Sequence, residues 1–189
     1  PAEGFCTDVF FDYATRFIRD SKKAKKPFFA YISTNAPHGP LHSPPASSAP
    51  YKDRVPANTA EFFGMIANID DNVGALRKIL AKEGLTENTI FIFTTDNGTA
   101  GGNKVHTAGM RGGKGSEYDG GHRVPFFAYW PAGGLTGGRD VTDLTAHVDI
   151  LPTLIDFCGL TPPRDVVFDG TSIRPLIEGK KSLADGTWS

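Results

Sequence analysis

Three eight-residue apolar runs constrain this chain most: PFFAYIST (27–34), NTIFIFTT (88–95) and VPFFAYWP (124–131). None alternates polar with apolar residues, so each reads as a strand covered on both faces. Between the first two lies TAEFFGMIANIDDNVGALRKILAKEG (59–84). Its Phe62, Ile66, Ile69, Val73, Leu76 and Leu80 recur every three or four residues, and Gly84 is placed to stop a helix. A second helix is predicted over 7–23, with Val9, Phe10, Tyr13, Phe17 and Ile18 as its apolar stripe and a basic last turn that suits the helix dipole. DLTAHVDI (143–150) reads as a fourth strand, and 151–159 as a short helix with Pro152 near its start. Helices alternating with buried strands predict an α/β sandwich with a largely parallel, or mixed, central sheet.

Two long loops interrupt this pattern. Residues 35–58 are rich in proline and 96–123 in glycine. Both follow the carboxyl ends of predicted strands, where ligands of such sheets sit. A net charge of −1 gives no bulk-charge reason to expect a nucleic-acid or membrane-surface partner. No apolar run is long enough for a membrane span. Cys6 and Cys158 have no metal-ligand spacing, and whether they pair stays open. The chain starts at Pro1 without an initiator Met or a signal peptide, as a piece of a longer protein would. The tail, 168–189, is polar and expected to be loosely held.

The candidates for chemistry lie in the loops. GMRGGKGSEYDGGHRVP (109–125) surrounds Lys114 with glycines. It fails the phosphate-binding G-x-x-x-x-G-K-[ST] pattern at both ends, with Ala108 at the first position and Gly115 at the last. Lys114 can set a full charge against an anion while glycines let backbone N–H groups approach it; the alternative is a solvated surface lysine. Arg111 and Arg123 are near in sequence, and Arg123 can instead hold the loop. In TTDNG, Asp96 and Asn97 offer two adjacent oxygen donors for a hard cation, or else an Asx-turn at a strand end. In NAPHGP, His38 stands between Pro37 and Pro40, stiffened to meet an oxyanion or to protonate a leaving group, or else idle. His42 is a weaker candidate. His147, in a predicted strand, reads as a satisfied core histidine, and Asp70 and Asp71 as a solvated helix face.

The succession APHGP, TIFIFTTDNG, MRGGKGSEYDGGHRVPFFAYWPAG, HVDILPTLIDFCGL and FDGTSIRPLI resembles the type I sulfatases, the arylsulfatase-like branch of the alkaline phosphatase superfamily. The likeness runs from about GFCTDVFFDYATRFI to DGTSIRPL. It implies an alkaline-phosphatase-like fold, incomplete in these 189 residues: a partial catalytic domain without the nucleophile half and without a C-terminal subdomain. It implies hydrolysis of aryl or carbohydrate sulfate esters by the full-length protein, with a formylglycine nucleophile and Ca²⁺. By resemblance, Asp96 and Asn97 are metal ligands, and His38 and Lys114 contact the sulfate. Asp119 stands where the family usually has Glu. The formylglycine motif C/S-x-P-S/A-R is absent: Cys6 is followed by TDVF and Cys158 by GLTP. These residues alone are therefore expected to be inactive. Two other readings remain: a phosphonate or phosphodiester hydrolase or transferase of the same superfamily, and a non-catalytic binder of sulfated glycans. Family habit suggests a periplasmic or secreted protein. The resemblance names a sulfated small molecule or glycan as partner and leaves the oligomeric state open.

Overall fold

The computed structural model describes residues 3–162 and 164–180. They form two compact units, Pro1–Thr89 with Asn97–Pro125, and Ile90–Asp96 with Phe126–Ser189.

The first unit is built on helices α1 (Cys6–Lys23), α2 (Pro45–Ser48), α3 (Ala57–Lys82) and α4 (Asp119–His122). The long α3 forms where the period predicts it and ends as expected, with Phe62, Leu76 and Leu80 of the predicted stripe buried and Ile66 exposed. Gly84 takes the left-handed conformation (φ 66°), its N–H reaches Ala81 O and that of Leu85 reaches Leu80 O at 2.8 Å. These two bonds satisfy carbonyls the helix cannot satisfy itself, and a residue with a Cβ would strain that φ. Met65, Leu76 and Leu80 are buried on this helix, each contributing roughly 1.5–3 kcal/mol by leaving water.

Helix α1 lies against α3 by a different face from the one its aromatic spacing suggested. Thr7, Phe11, Thr15 and Ile18 are buried, whereas Phe10, Tyr13 and Phe17 are exposed. Polar contacts fix this choice. Asp8 Oδ1 accepts from Asn68 Nδ2 at 2.8 Å and from Asn72 Nδ2 at 2.7 Å, and Glu83 takes Lys22 at 2.9 Å and Arg19 at 3.4 Å. Helix α2 is started by Pro45 and sits across α3, where the Ser43 N–H and hydroxyl both donate to Glu61 Oε2 at 2.9 and 2.8 Å.

The sheet expectation requires correction. Segment 27–34 forms no strand among the described residues, and Phe29 (74%) and Tyr31 (83%) are exposed. An apolar run supplies a face to bury, but a ladder also needs a neighbouring strand, and no described residues supply one here.

The second unit contains the two-stranded sheet. β1 (Phe91–Thr94) pairs with β2 (Phe126–Tyr129) in antiparallel register, Phe91 opposite Tyr129 and Thr94 opposite Phe126. The predicted runs 88–95 and 124–131 thus become strands, shorter than expected and paired antiparallel rather than parallel. Residues 143–150 are not a strand: His147–Asp149 form a 3₁₀ turn that leads into α5 (Ile150–Cys158). Helix α6 (Arg174–Ile177) falls within the stretch expected to be loose, yet Ile173 and Leu176 are buried, and Arg139 donates to the Leu176 carbonyl at 2.7 Å and to that of Ile177. The rest of that tail, 181–189, lies outside the described residues. Trp130 meets Phe157 edge-on at 5.4 Å, and Arg174 bridges Asp156 and Glu178 at 3.1 and 2.8 Å. No described helix is long and apolar enough to cross a membrane.

Candidate functional site

The glycine-rich loop is sewn together by its own backbone. Gly98 N–H donates to Gly121 O at 2.9 Å, Lys114 N–H to Thr99 O at 2.9 Å, and Gly120 N–H to Arg111 O at 2.8 Å. The segment that opens with Asn97 is thereby joined to the segment that carries Lys114. The glycines permit this closeness: a Cβ on Gly98 would lie 1.8 Å from Gly120 O, and one on Gly121 2.0 Å from Ser116 O. These N–H groups point into the loop and are satisfied there. Gly98, Gly120 and Gly121 thus serve backbone packing, and Lys114 adds an exposed ammonium to the loop. Lys114 is exposed, and among the described residues no carboxylate pairs with its ammonium.

The neighbouring arginines are engaged. Arg111 lies over the Tyr118 ring at 3.7 Å, and Arg123 stands 3.8 Å from Asp119, one helical turn away. Asp119 and Arg123 thus form a long, exposed ion pair. An open cleft of about 450 Å³ is lined by this part of the loop, including Arg111, Glu117, Tyr118 and Arg123, but Lys114 does not line it. No motif in the sequence signals the cleft.

His38 is exposed in the same unit. Its N–H closes a turn onto Asn35 O at 2.9 Å, and Thr34 Oγ1 donates to Ala36 O at 2.8 Å. The Ala36–Pro37 and Gly39–Pro40 bonds on either side are cis. The ring Nδ1 lies 2.9 Å from Gly39 O. A carbonyl can only accept, so Nδ1 carries the proton and Nε2 faces outward. In the neutral ring Nε2 is an acceptor; in the cation it donates.

In the second unit, Asp96 is exposed two residues beyond β1, in the peptide that follows Thr95. Asn97 opens the loop segment of the first unit. A carboxylate and an amide oxygen suit a hard divalent cation, which takes six to eight oxygens as Ca²⁺ or about six as Mg²⁺. No three His, Cys, Asp or Glu residues converge among the described residues, so this pair would supply only part of such a set.

The structure adds a residue that sequence reasoning set aside. His147 is neither in a strand nor in the core: it is exposed at the start of the 3₁₀ turn, and its Nε2 lies 2.7 Å from Thr95 O. The available signal was Asp149 standing before ILPTLI with Pro152, a helix-start pattern rather than a strand. Asp70 and Asp71 are exposed on α3, as expected. Both cysteines are free, and His42 is exposed against Phe5.

Comparison with known proteins gives one consistent result. The family model described as Sulfatase matches residues 3–160. N-acetylgalactosamine-6-sulfatase from the dog, Canis lupus familiaris, is 32% identical over 94% of this chain and 33% of its own length. The crystal structure of Ps i-CgsB in complex with k-i-k-neocarrahexaose is similar with a TM-score of 0.87 and 28% identity, over 96% of this chain and 40% of that one. The phosphonate monoester hydrolase of Agrobacterium radiobacter is similar over 66% of this chain and 23% of its own, with a TM-score of 0.53 and 35% identity. The chain spans about a third of the length of the curated relatives it matches.

Proposed function

The chain belongs to the sulfatase family, and from that premise we propose that the whole protein hydrolyses sulfate esters, with sulfated carbohydrates as the substrate class. The observation that carries this reading is Lys114: an exposed ammonium on a loop whose backbone is fixed by its own hydrogen bonds. As the S–O bond breaks, negative charge grows on the leaving oxygen and persists on the sulfuryl oxygens. Lys114 sets positive charge against a sulfuryl oxygen, and a preorganised charge of this kind acts without reorganising during the reaction. His38, with Nδ1–H committed to the Gly39 carbonyl, donates from Nε2 in its cationic form toward the leaving oxygen. Asp96 and Asn97 would help to hold a divalent cation, Ca²⁺ by family resemblance, which when bound supplies further charge neutralisation. The nucleophile, a formylglycine by the same resemblance, comes from outside these residues, so they do not turn over substrate alone.

The similarity to a phosphonate monoester hydrolase supports a second reading, phosphorus–oxygen cleavage at the same site. One assay separates the two. The full-length protein is given an aryl sulfate, a sulfated oligosaccharide and an aryl phosphonate monoester at equal concentrations with Ca²⁺. A kcat/KM highest for a sulfate ester is expected. Faster phosphonate cleavage would transfer the assignment to phosphorus, and sulfate-dependent binding without turnover would make the protein a glycan binder.

A further inference from the structure

We propose that His147 is a positioning residue for Asp96. This inference rests on the reading of Asp96 as a cation ligand. The carbonyl that His147 Nε2 meets at 2.7 Å belongs to Thr95. That oxygen lies in the peptide plane that also contains the Cα of Asp96, since the peptide unit is rigid and flat. A hydrogen bond to it fixes the plane and hence the point from which the Asp96 carboxylate projects. A carbonyl accepts, so His147 carries its proton on Nε2.

A clamp needs a rigid mount, and the turn that bears His147 has one. Asp149 is 8% exposed, and both its carboxylate oxygens accept backbone N–H groups, Oδ2 from Ala146 at 2.8 Å and Oδ1 from Thr171 at 2.9 Å. Thr153 Oγ1 donates to the Asp149 carbonyl at 2.6 Å and accepts from Ile173 N–H at 2.9 Å. Gly170 passes so close that a Cβ there would sit 2.3 Å from the Val148 carbonyl oxygen. The turn is thus tied to residues 170–173, and the imidazole bonds it to the strand end. Asp149 and Thr153 are satisfied within this mount, and the His147 imidazole reaches from it to the peptide that precedes Asp96.

The test is Ca²⁺ affinity of the metal-stripped full-length protein, measured by titration calorimetry alongside thermal unfolding. His147→Ala is expected to weaken Ca²⁺ binding by about 10-fold or more, the usual effect of losing a group that orients a metal ligand. His147→Gln, whose amide N–H has similar reach, is expected to recover most of the affinity. Should His147→Ala not fold, His147→Leu fills the space without an N–H and takes its place. Unchanged affinity without the N–H, or equal losses in the Ala and Gln variants, would overturn the clamp. Asp96→Ala separates the two claims. If it leaves Ca²⁺ affinity intact, Asp96 is not a ligand and the premise falls; if it removes binding while His147 variants do not matter, only the clamp falls.

Discussion

Replacing Gly98 by Ala tests whether the fixed backbone path of the Lys114 loop matters. The added Cβ would lie 1.8 Å from the Gly120 carbonyl oxygen, 2.7 Å from the Gly120 carbonyl carbon and 2.9 Å from Gly121 Cα. That is roughly 1.5 Å or more short of a comfortable contact with the oxygen. All three atoms are backbone, so no side chain can swing aside. The two segments must separate, which breaks Gly98 N–H to Gly121 O and strains Lys114 N–H to Thr99 O, both 2.9 Å. The overpacking costs roughly 1–3 kcal/mol of stability. Displacing Lys114 by about 1 Å lowers kcat on the order of 100-fold, since a charge aimed at a transition state loses its effect when misplaced. The assay is kcat and KM of the full-length variant on an aryl sulfate, with thermal unfolding to confirm that it is folded. A folded Gly98→Ala variant with wild-type kcat would show that the loop's backbone does not set the position of Lys114.

Two further outcomes follow from contacts elsewhere. Gly74 lies within α3 and a Cβ there meets nothing within 4 Å, so Gly74→Ala should stabilise the protein by about 0.5–1 kcal/mol in urea unfolding, through helix propensity alone. The Ser43 hydroxyl, and then its N–H, hold the Glu61 carboxyl below its ordinary 4.5. A depressed pKa stabilises the fold above the ordinary value and loses that effect as pH falls through the folded-state value. Ser43→Ala should therefore cost about 1 kcal/mol near neutrality, and the difference from wild type should shrink once Glu61 is protonated; a constant difference across that range would refute the assignment.

What the sequence revealed depended on how local the signal was. Helix α3 was readable to its last turn because period, length and the left-handed stop at Gly84 all lie within one segment. Helix α1 was readable as a helix but not in orientation. Of the expected stripe Val9, Phe10, Tyr13, Phe17 and Ile18, only Ile18 is buried, and it shares the buried face with Thr7, Phe11 and Thr15; aromatic spacing favoured the first set and the fold uses the second. Asp8 meeting Asn68 and Asn72, 60 and more positions away, decides for the second. Two apolar runs became β1 and β2, yet composition marks only burial; partner and direction come from chain paths that no single run encodes. Lys114, His38, Asp96 and Asn97 were named by motif, but the motif did not show how the loop holds its own backbone. The N–H groups of Gly98, Lys114 and Gly120 close the loop, and that is visible only once residues 98–99 and 111–121 are brought together.

The N–H groups of Gly98, Lys114 and Gly120, spent on loop carbonyls, also bear on specificity. A ring of backbone donors would read the geometry of a tetrahedral anion; an ammonium is a compact point charge with rotatable donors and reads mainly charge and distance. A sulfate monoester and a phosphonate monoester are both singly charged tetrahedral groups near neutral pH. Lys114 should therefore serve both, and the choice between them must be made by other groups. Lys114→Ala is expected to lower kcat/KM on the order of 100- to 1,000-fold, as removal of one preorganised stabilising group does. The factor should be nearly the same for an aryl sulfate and an aryl phosphonate monoester, wherever both are turned over, and unfolding should be unchanged because no described carboxylate pairs with the ammonium. A tenfold larger loss for the sulfate would show that Lys114 discriminates. The loop would then present more than a charge, and the outward face of its backbone would have to contribute donors to the anion after all.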